Sequence, residues 1–146
     1  VASIVVSVLY VSLMAAVSSL LFGVTWGHIF PWTVLTLVGA AAAAGLSLVV
    51  MALVPKPEHI DGAGSAIFNV LAFLGGSMSP LMVLPEWFRT SFSWLPNRAM
   101  LNGYLKASVG ANFADIAGEL TTLLVAAIVL FVLGGAIWTI RAKGEV

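Results

Sequence analysis

Four long apolar runs divide the chain, and none of them contains a formally charged side chain. They cover residues 1–22, 33–53, 63–82 and 120–140. About 20 apolar residues in a helix are enough to cross a hydrocarbon core of about 30 Å. The pattern therefore predicts four transmembrane helices, separated by segments that collect the prolines, glycines and charges.

The third run differs from the other three because it is interrupted near its end. Gly75 and Gly76 are followed closely by Pro80, which lacks a backbone N–H and clashes with the preceding turn of a helix. Such a break at membrane depth persists only where protein or a water-filled cavity satisfies the freed backbone groups. We therefore expect a helix break at Gly75, Gly76 and Pro80.

The segment between the third and fourth runs is too charged to span a membrane and too apolar to be a free loop. A short amphipathic helix is predicted after Pro85 and is expected to stop at Pro96, and a second helix is predicted over 98–108. Asn112, with Asp115 three residues later, resembles an N-cap pair that opens the last helix. These short helices, at about 85–117, are expected to be re-entrant or interfacial.

The predicted fold class is therefore an all-α polytopic membrane protein with a single transmembrane domain over 1–146. Composition supports it, since 61% of the residues are hydrophobic and 8% are charged, against about 25% charged in soluble domains. Basic residues divide evenly between the two sides of the membrane, so they orient the chain only weakly. The chain begins inside an apolar run without an initiator Met, and we expect it to be a fragment of a larger protein.

Several kinds of chemistry are disfavoured by the residues present. A net charge of zero leaves no basic stripe for nucleic acid, and the chain has no cysteine for disulfides or thiolate metal sites. His28 and His59 fall in loops expected on opposite sides of the membrane. No phosphate-binding Gly-x-x-x-x-Gly-Lys-Ser/Thr motif and no nucleophilic triad is found. We therefore predict no catalytic, cofactor or metal site, and no enzyme activity, in this chain.

The third run carries a stripe of small and polar residues at helical spacing. The stripe comprises Ser65, Asn69, Ala72, Gly76 and Ser79, and aromatic rings lie beside it. Two interpretations stay open. Asn69 can be a hydrogen-bonding contact to a neighbouring helix, or the stripe can be one wall of a substrate path. In the second case the path residues are Ser65, Asn69, Phe73 and Gly76.

The order of motifs from residue 73 onward resembles the permease subunits of the type-2 ABC transporter family. Residues 74–80 (LGGSMSP) look like the glycine-rich break of that family. Residues 84–88 (LPEWF) and 95–98 (LPNR) follow, and the last apolar helix ends in basic residues at Arg141. Upstream, residues 21–24 and 45–53 also fit.

The resemblance implies a permease of six spans, of which this chain supplies the last four. Two permease copies, identical or different, pair around a central path and are driven by an ABC ATP-binding subunit, which holds ATP and magnesium. The short helices after Pro85 would be extracytoplasmic, the loop over 56–61 would be cytoplasmic, and Asn69 and Phe73 would border the path.

The function expected from these features is that of the transmembrane permease subunit of an ATP-driven ABC exporter. The cargo would be an amphipathic small molecule, drug, peptide or lipid-linked substrate. The protein would be located in the cell membrane, as a multi-pass protein of a bacterial plasma membrane. The alternative is a non-transporting membrane module for assembly or anchoring, whose glycine and alanine faces bind other helices. The alternative predicts stable complexes that do not change with nucleotide.

Overall fold

The computed structural model describes residues 2–54, 56–78, 83 and 85–144, and within them every regular element is a helix. In these residues the 3₁₀ turn Pro57–His59 and six α-helices are defined. They are α1 (Ala2–Phe22), α2 (Ile29–Leu53), α3 (Ile60–Leu74), α4 (Glu86–Ser91), α5 (Pro96–Ser108) and α6 (Ala117–Gly144). The predicted fold class, an all-α polytopic membrane protein, is confirmed.

Among the residues that the structure describes, three helices are long and apolar enough to cross a membrane. They are α1, α2 and α6, with 21, 25 and 28 residues, and at 1.5 Å per residue each exceeds about 30 Å. α6 ends with Arg141 and Lys143 in its last turn, where cations interact favourably with the helix dipole. α3 has only 15 residues and is therefore about 22 Å long, which is too short to cross the hydrocarbon core of a membrane.

Several helix boundaries differ from the predicted ones. α2 starts before residue 33 because Pro31 is accommodated in its first turn, where a missing N–H costs no hydrogen bond. Pro96, expected to stop a helix, instead begins α5, since its fixed φ suits a first helical position. α3 starts and ends earlier than the predicted run 63–82. The division into spans and extracytoplasmic helices stays a prediction.

α2 lies at the centre of the fold and packs against α6 through glycines on both helices. A Cβ at Gly134 of α6 would lie 2.8 Å from Leu48 Cγ and 3.2 Å from the backbone N of Val49. A Cβ at Gly45 of α2 would lie 3.0 Å from Leu130 Cβ. Small residues let membrane helices approach at backbone distance, which increases their van der Waals contact. The closely packed pair of helices α2 and α6 is called the frame of the molecule.

One end of the frame is closed by aromatic packing between α2 and α5. The Trp32 ring lies 5.9 Å from that of Trp26 and 5.6 Å from that of Tyr104. The hydroxyls of Tyr104 and buried Thr36 share a hydrogen bond of 2.9 Å. Burial raises the pKa of the Tyr104 phenol. Gly27, at φ +60°, approaches α5 so closely that a Cβ there would lie 2.2 Å from the Ala107 carbonyl oxygen.

The opposite end of the frame is closed by a single arginine. Arg141 Nη1 of α6 donates to the carbonyl oxygen of Ala52 at 2.8 Å and to that of Val54 at 3.2 Å. The last carbonyls of a helix have no partner within the helix, so a guanidinium from a neighbouring helix satisfies them and caps α2. Helices α2 and α6 are thus joined by close packing along their length and by this bond at the end.

Candidate functional site

The end of α3 is a glycine cap whose hydrogen bonds are complete. Gly76 has φ +82°, a conformation that glycine adopts without steric cost. The N–H of Ser77 donates to the Ala72 carbonyl at 2.9 Å, and the N–H of Gly76 donates to the Phe73 carbonyl at 3.1 Å. These are the two bonds of a Schellman motif. The helix therefore ends at the glycines, and Pro80 lies outside the described residues.

Asn97 of α5 connects this cap to the short helices that follow it. Its Nδ2 donates to the carbonyl oxygen of Leu71 at 3.2 Å and to Ser77 Oγ at 3.0 Å. A Cβ at Gly75 would lie 2.6 Å from the same Nδ2, so a residue without a side chain is needed for this approach. The glycine break and the LPNR motif, separate pieces in the sequence, are one structural unit.

A cavity of about 360 Å³ lies beside this unit, between α2, α3, α5 and α6. Small residues of α2 form one wall and leave the space open, while Phe68 and Met100 supply large apolar surfaces on other walls. Two carboxamides, those of Asn69 and Asn97, also line it. The described lining residues include no charged side chain. An apolar cavity with a few polar groups is typical of small-molecule sites.

A second cavity of about 630 Å³ shares part of its wall with the first. The shared residues are Leu46, Leu71, Pro96 and Leu130. It also contacts Thr121 and Thr122, whose hydroxyls donate to the carbonyls of Ala117 and Gly118 at 2.7 and 2.9 Å. Because these hydroxyls are already bonded within α6, the second cavity offers almost purely apolar surface. The amide groups belong to the first cavity alone.

The four residues predicted to line a path occupy different surroundings. Asn69 lines the first cavity, and its Nδ2 lies 3.4 Å from Ser65 Oγ, a long hydrogen bond. Phe73 is 45% exposed and packs edge-on against Phe88 of α4, with the ring centroids 6.1 Å apart. Gly76 is buried in the helix cap. Asn69 is thus the member of the predicted set found on the cavity wall, and the path role of all four stays a prediction.

The sequence interpretation missed Asn97, the second amide on the wall. Leu71, its partner in α3, is 26 positions away in the chain, so no local periodicity connects them. A weak signal was present, because Asn97 is a polar residue that directly follows Leu95 and Pro96 at a predicted helix start. Polar residues in such apolar surroundings commonly bond to a neighbouring helix.

The turn between α5 and α6 holds a small group of charged side chains that are bonded to one another or to the backbone. The N–H of Asn112 donates to Asp115 Oδ2 at 2.9 Å, the bond of a capping box, but it lies in the turn before α6, which begins at Ala117 and not directly after Asn112 as predicted. Lys106 Nζ lies 2.7 Å from Glu119 Oε1 and donates to the Asp115 carbonyl at 2.9 Å. Across the described part of the chain, no three His, Asp or Glu side chains are placed to hold a metal ion.

Comparison with known proteins gives one family and one curated relative. The profile of the family described as "ABC-2 family transporter protein" matches residues 1–136. The linearmycin resistance permease protein LnrN of Bacillus subtilis (strain 168) is 26% identical over 115 residues. That alignment covers 78% of this chain and 30% of the relative, so the chain spans under a third of its length. No solved structure gives a significant match.

Proposed function

Because the chain belongs to the ABC-2 transporter family, we propose that it forms the membrane-spanning part of an exporter permease that carries an amphipathic small molecule. The observation that carries this proposal, beside the family, is the uncharged cavity of about 360 Å³ at the broken end of α3. Its size and lining suit the apolar part of a small molecule. Drugs, peptides and lipid-linked molecules are the cargo classes that have such a part.

The lining favours a cargo whose buried part is apolar and uncharged. A charge moved into such a space loses its hydration and finds no opposite charge among the described lining residues. Asn69 and Asn97 provide amide groups that hydrogen-bond a neutral hydroxyl, carbonyl or amide. Hydrophobic contact would supply the affinity, and these amides would orient the bound molecule.

The same proposal includes the energy source for transport and the partner subunits. ATP and magnesium bind to a separate ABC ATP-binding subunit, and a second permease copy, identical or different, completes the path. Export rather than import is favoured because the curated relative is a resistance permease by name, and resistance is consistent with removal of a toxic molecule. The location that follows is the bacterial cell membrane, with the short helices α4 and α5 on its outer side.

The test is a cavity-filling substitution in the full-length protein, reconstituted in liposomes with its ATP-binding partner. Progesterone, a neutral amphipathic molecule, and tetraphenylphosphonium, an ion, are compared as stimulators of ATP hydrolysis. We expect stronger stimulation by progesterone and its loss in Ala43→Phe, which fills the cavity. Val132→Phe, at a position 64% exposed on α6, is the matched control and keeps the stimulation. Equal behaviour of the two variants would contradict a role for this cavity.

A second candidate function is a non-transporting assembly module. The observation that favours it is the exposure of α3. All 15 residues of this helix are described and none is buried, so a helix of another protein could bind to its apolar face. It predicts a complex that forms equally well with ATP, ADP or no nucleotide. Hydrolysis that neither probe stimulates, together with such a complex, would favour this candidate over transport.

A further inference from the structure

We propose that Asn97 is the positioning residue that sets the α3 wall of the cavity, by holding the glycine-capped end of α3 against α5. The geometric part of this proposal stands by itself. Its consequence for cargo rests on the proposed function. Asn97 belongs to α5 and therefore links the outer short helices to the cavity wall.

Few other contacts hold α3 in place. Its residues, each of them within the described ranges, are all at least partly exposed. Phe73 packs edge-on against Phe88 of the six-residue helix α4. Asn97 supplies a side-chain hydrogen bond from another helix to the α3 backbone, at the Leu71 carbonyl. Leu71 itself lines both cavities. A bond at this carbonyl therefore fixes the wall at the place where the cavities meet.

An asparagine suits this position because its amide nitrogen carries two hydrogens. One hydrogen serves Leu71 and the other Ser77, which leaves the amide oxygen as the remaining hydrogen-bonding group of a cavity-lining side chain. Aspartate has nearly the same shape but, when ionised, donates no hydrogen bond. Asn97→Asp therefore removes the bond to the Leu71 carbonyl and leaves the volume nearly unchanged, although the Ser77 hydroxyl can then donate to the carboxylate. Asn97→Gln keeps both donors on a longer side chain.

Gly75 is the complementary requirement on α3. Its missing side chain makes room for the amide, since a Cβ there would lie 2.6 Å from Nδ2 and 3.1 Å from Cβ of Asn97. Gly75→Ala should therefore displace Asn97 without changing any donor or acceptor. Two substitutions on different helices are thus expected to have the same effect on the cavity wall.

Loss of the bonds should lower the fraction of molecules with an assembled wall. The apparent affinity for a ligand falls in proportion to the fraction that is competent to bind. Each hydrogen bond contributes roughly a fivefold factor, so loss of one or both bonds is expected to lower the apparent affinity about fivefold to 25-fold. The maximal rate with saturating ligand should stay unchanged, because ligand binding reassembles the wall.

The first experiment measures the contact itself and does not require transport. This chain contains no cysteine, so cysteine pairs can be introduced into it without background from its own sequence. Ser77→Cys with Asn97→Cys should form a disulfide under mild oxidation in the membrane. Ser77→Cys with Leu105→Cys, at an exposed position farther along α5, should not. Equal yields for the two pairs would overturn the proposed contact.

The second experiment measures water access to the wall in the full-length protein. A cysteine at Ala72, which lines the cavity, reacts with a maleimide as the thiolate and therefore needs water. Labelling should be about fivefold to 25-fold faster in Asn97→Asp, Asn97→Ala and Gly75→Ala. Asn97→Gln, which keeps the donors, should stay within about twofold of the parent. Equal labelling in all variants would overturn the positioning role.

The third experiment separates this role from the proposed function. With progesterone as stimulator of ATP hydrolysis, Gly75→Ala, which displaces Asn97 without adding a charge to the cavity, should raise the concentration for half-maximal effect and leave the maximal rate unchanged. A fall in maximal rate alone would contradict positioning. If progesterone has no effect on the parent while the labelling result holds, the cargo class of the proposed function fails and the positioning role of Asn97 stands.

Discussion

Helices α2 and α3 border the same cavity, but they are held in place by very different means. Ten residues of α2 are buried, among them Leu35 and Thr36. In α3, which lies wholly within the described ranges, no residue is buried. α2 is packed at backbone distance against α6 and is capped by Arg141. α3 ends in a glycine cap that is tied to α5 by the side chain of Asn97.

The difference implies that one wall of the cavity is fixed and the other is adjustable. Moving α2 would break close packing along a whole helix, which costs several kcal/mol because interiors are densely packed. Moving the end of α3 would break two side-chain hydrogen bonds, worth about 0.5–1.5 kcal/mol each. Conformational changes in proteins draw on such weakly held elements. A cavity that must open and close would therefore do so at α3.

The strongest way to break this comparison is to damage the fixed wall at Gly134. Gly134→Ala places a methyl group 2.8 Å from Leu48 Cγ and 3.2 Å from a backbone nitrogen. Overpacking of this kind costs about 1–3 kcal/mol. The expected loss is to be measured as a decrease in the free energy of unfolding in mixed micelles. Gly135→Ala, next in sequence, is the matched control because a Cβ there meets nothing within 4 Å. Equal loss in both variants would argue against close packing of α2 on α6.

A smaller effect is expected when the cap of α2 is removed. Arg141→Gln loses charge-assisted bonds to the carbonyls of Ala52 and Val54. Because the guanidinium is only partly buried, we expect a loss of about 1–2 kcal/mol in unfolding free energy. Lys143→Gln, two residues later at an exposed position, should change it by less than about 0.5 kcal/mol. Cavity labelling at Ala72 should not change, since the cap does not touch α3.

The two helices also differ in how far the sequence predicts them. α2 was recognisable because an uncharged run of 25 residues has one stable form in lipid. The predicted stripe on the third run assumed helical periodicity up to Ser79, but the helix ends at Leu74. Gly76 therefore belongs to the cap, and Ser79 lies outside the described residues. The bonds of Asn97 and Arg141 join residues 26 and 89 positions apart, which no local pattern reveals.

The smallest effect on stability, and the sharpest test of the comparison, is expected at Asn69. Its hydrogen bond to Ser65 is long, at 3.4 Å, so Asn69→Leu should change the unfolding free energy by less than about 0.5 kcal/mol. The same change removes one of the two amides from the cavity wall. Stimulation of ATP hydrolysis by progesterone should then need several times more ligand, since a neutral polar group loses its partner.

Ser65→Ala is the control for Asn69, because it removes the acceptor of that hydrogen bond but leaves the amide on the wall. If Asn69 serves only to bond along α3, both variants should behave alike. If it faces bound cargo, Asn69→Leu alone should weaken stimulation. An adjustable wall should contain residues that contribute to ligand binding and contribute little to folding stability. The hydrogen-bonding groups of such residues are left for the ligand and do not hold the helix in place. Equal loss of stability in Asn69→Leu and Gly134→Ala would show instead that α3 is as firmly built in as α2.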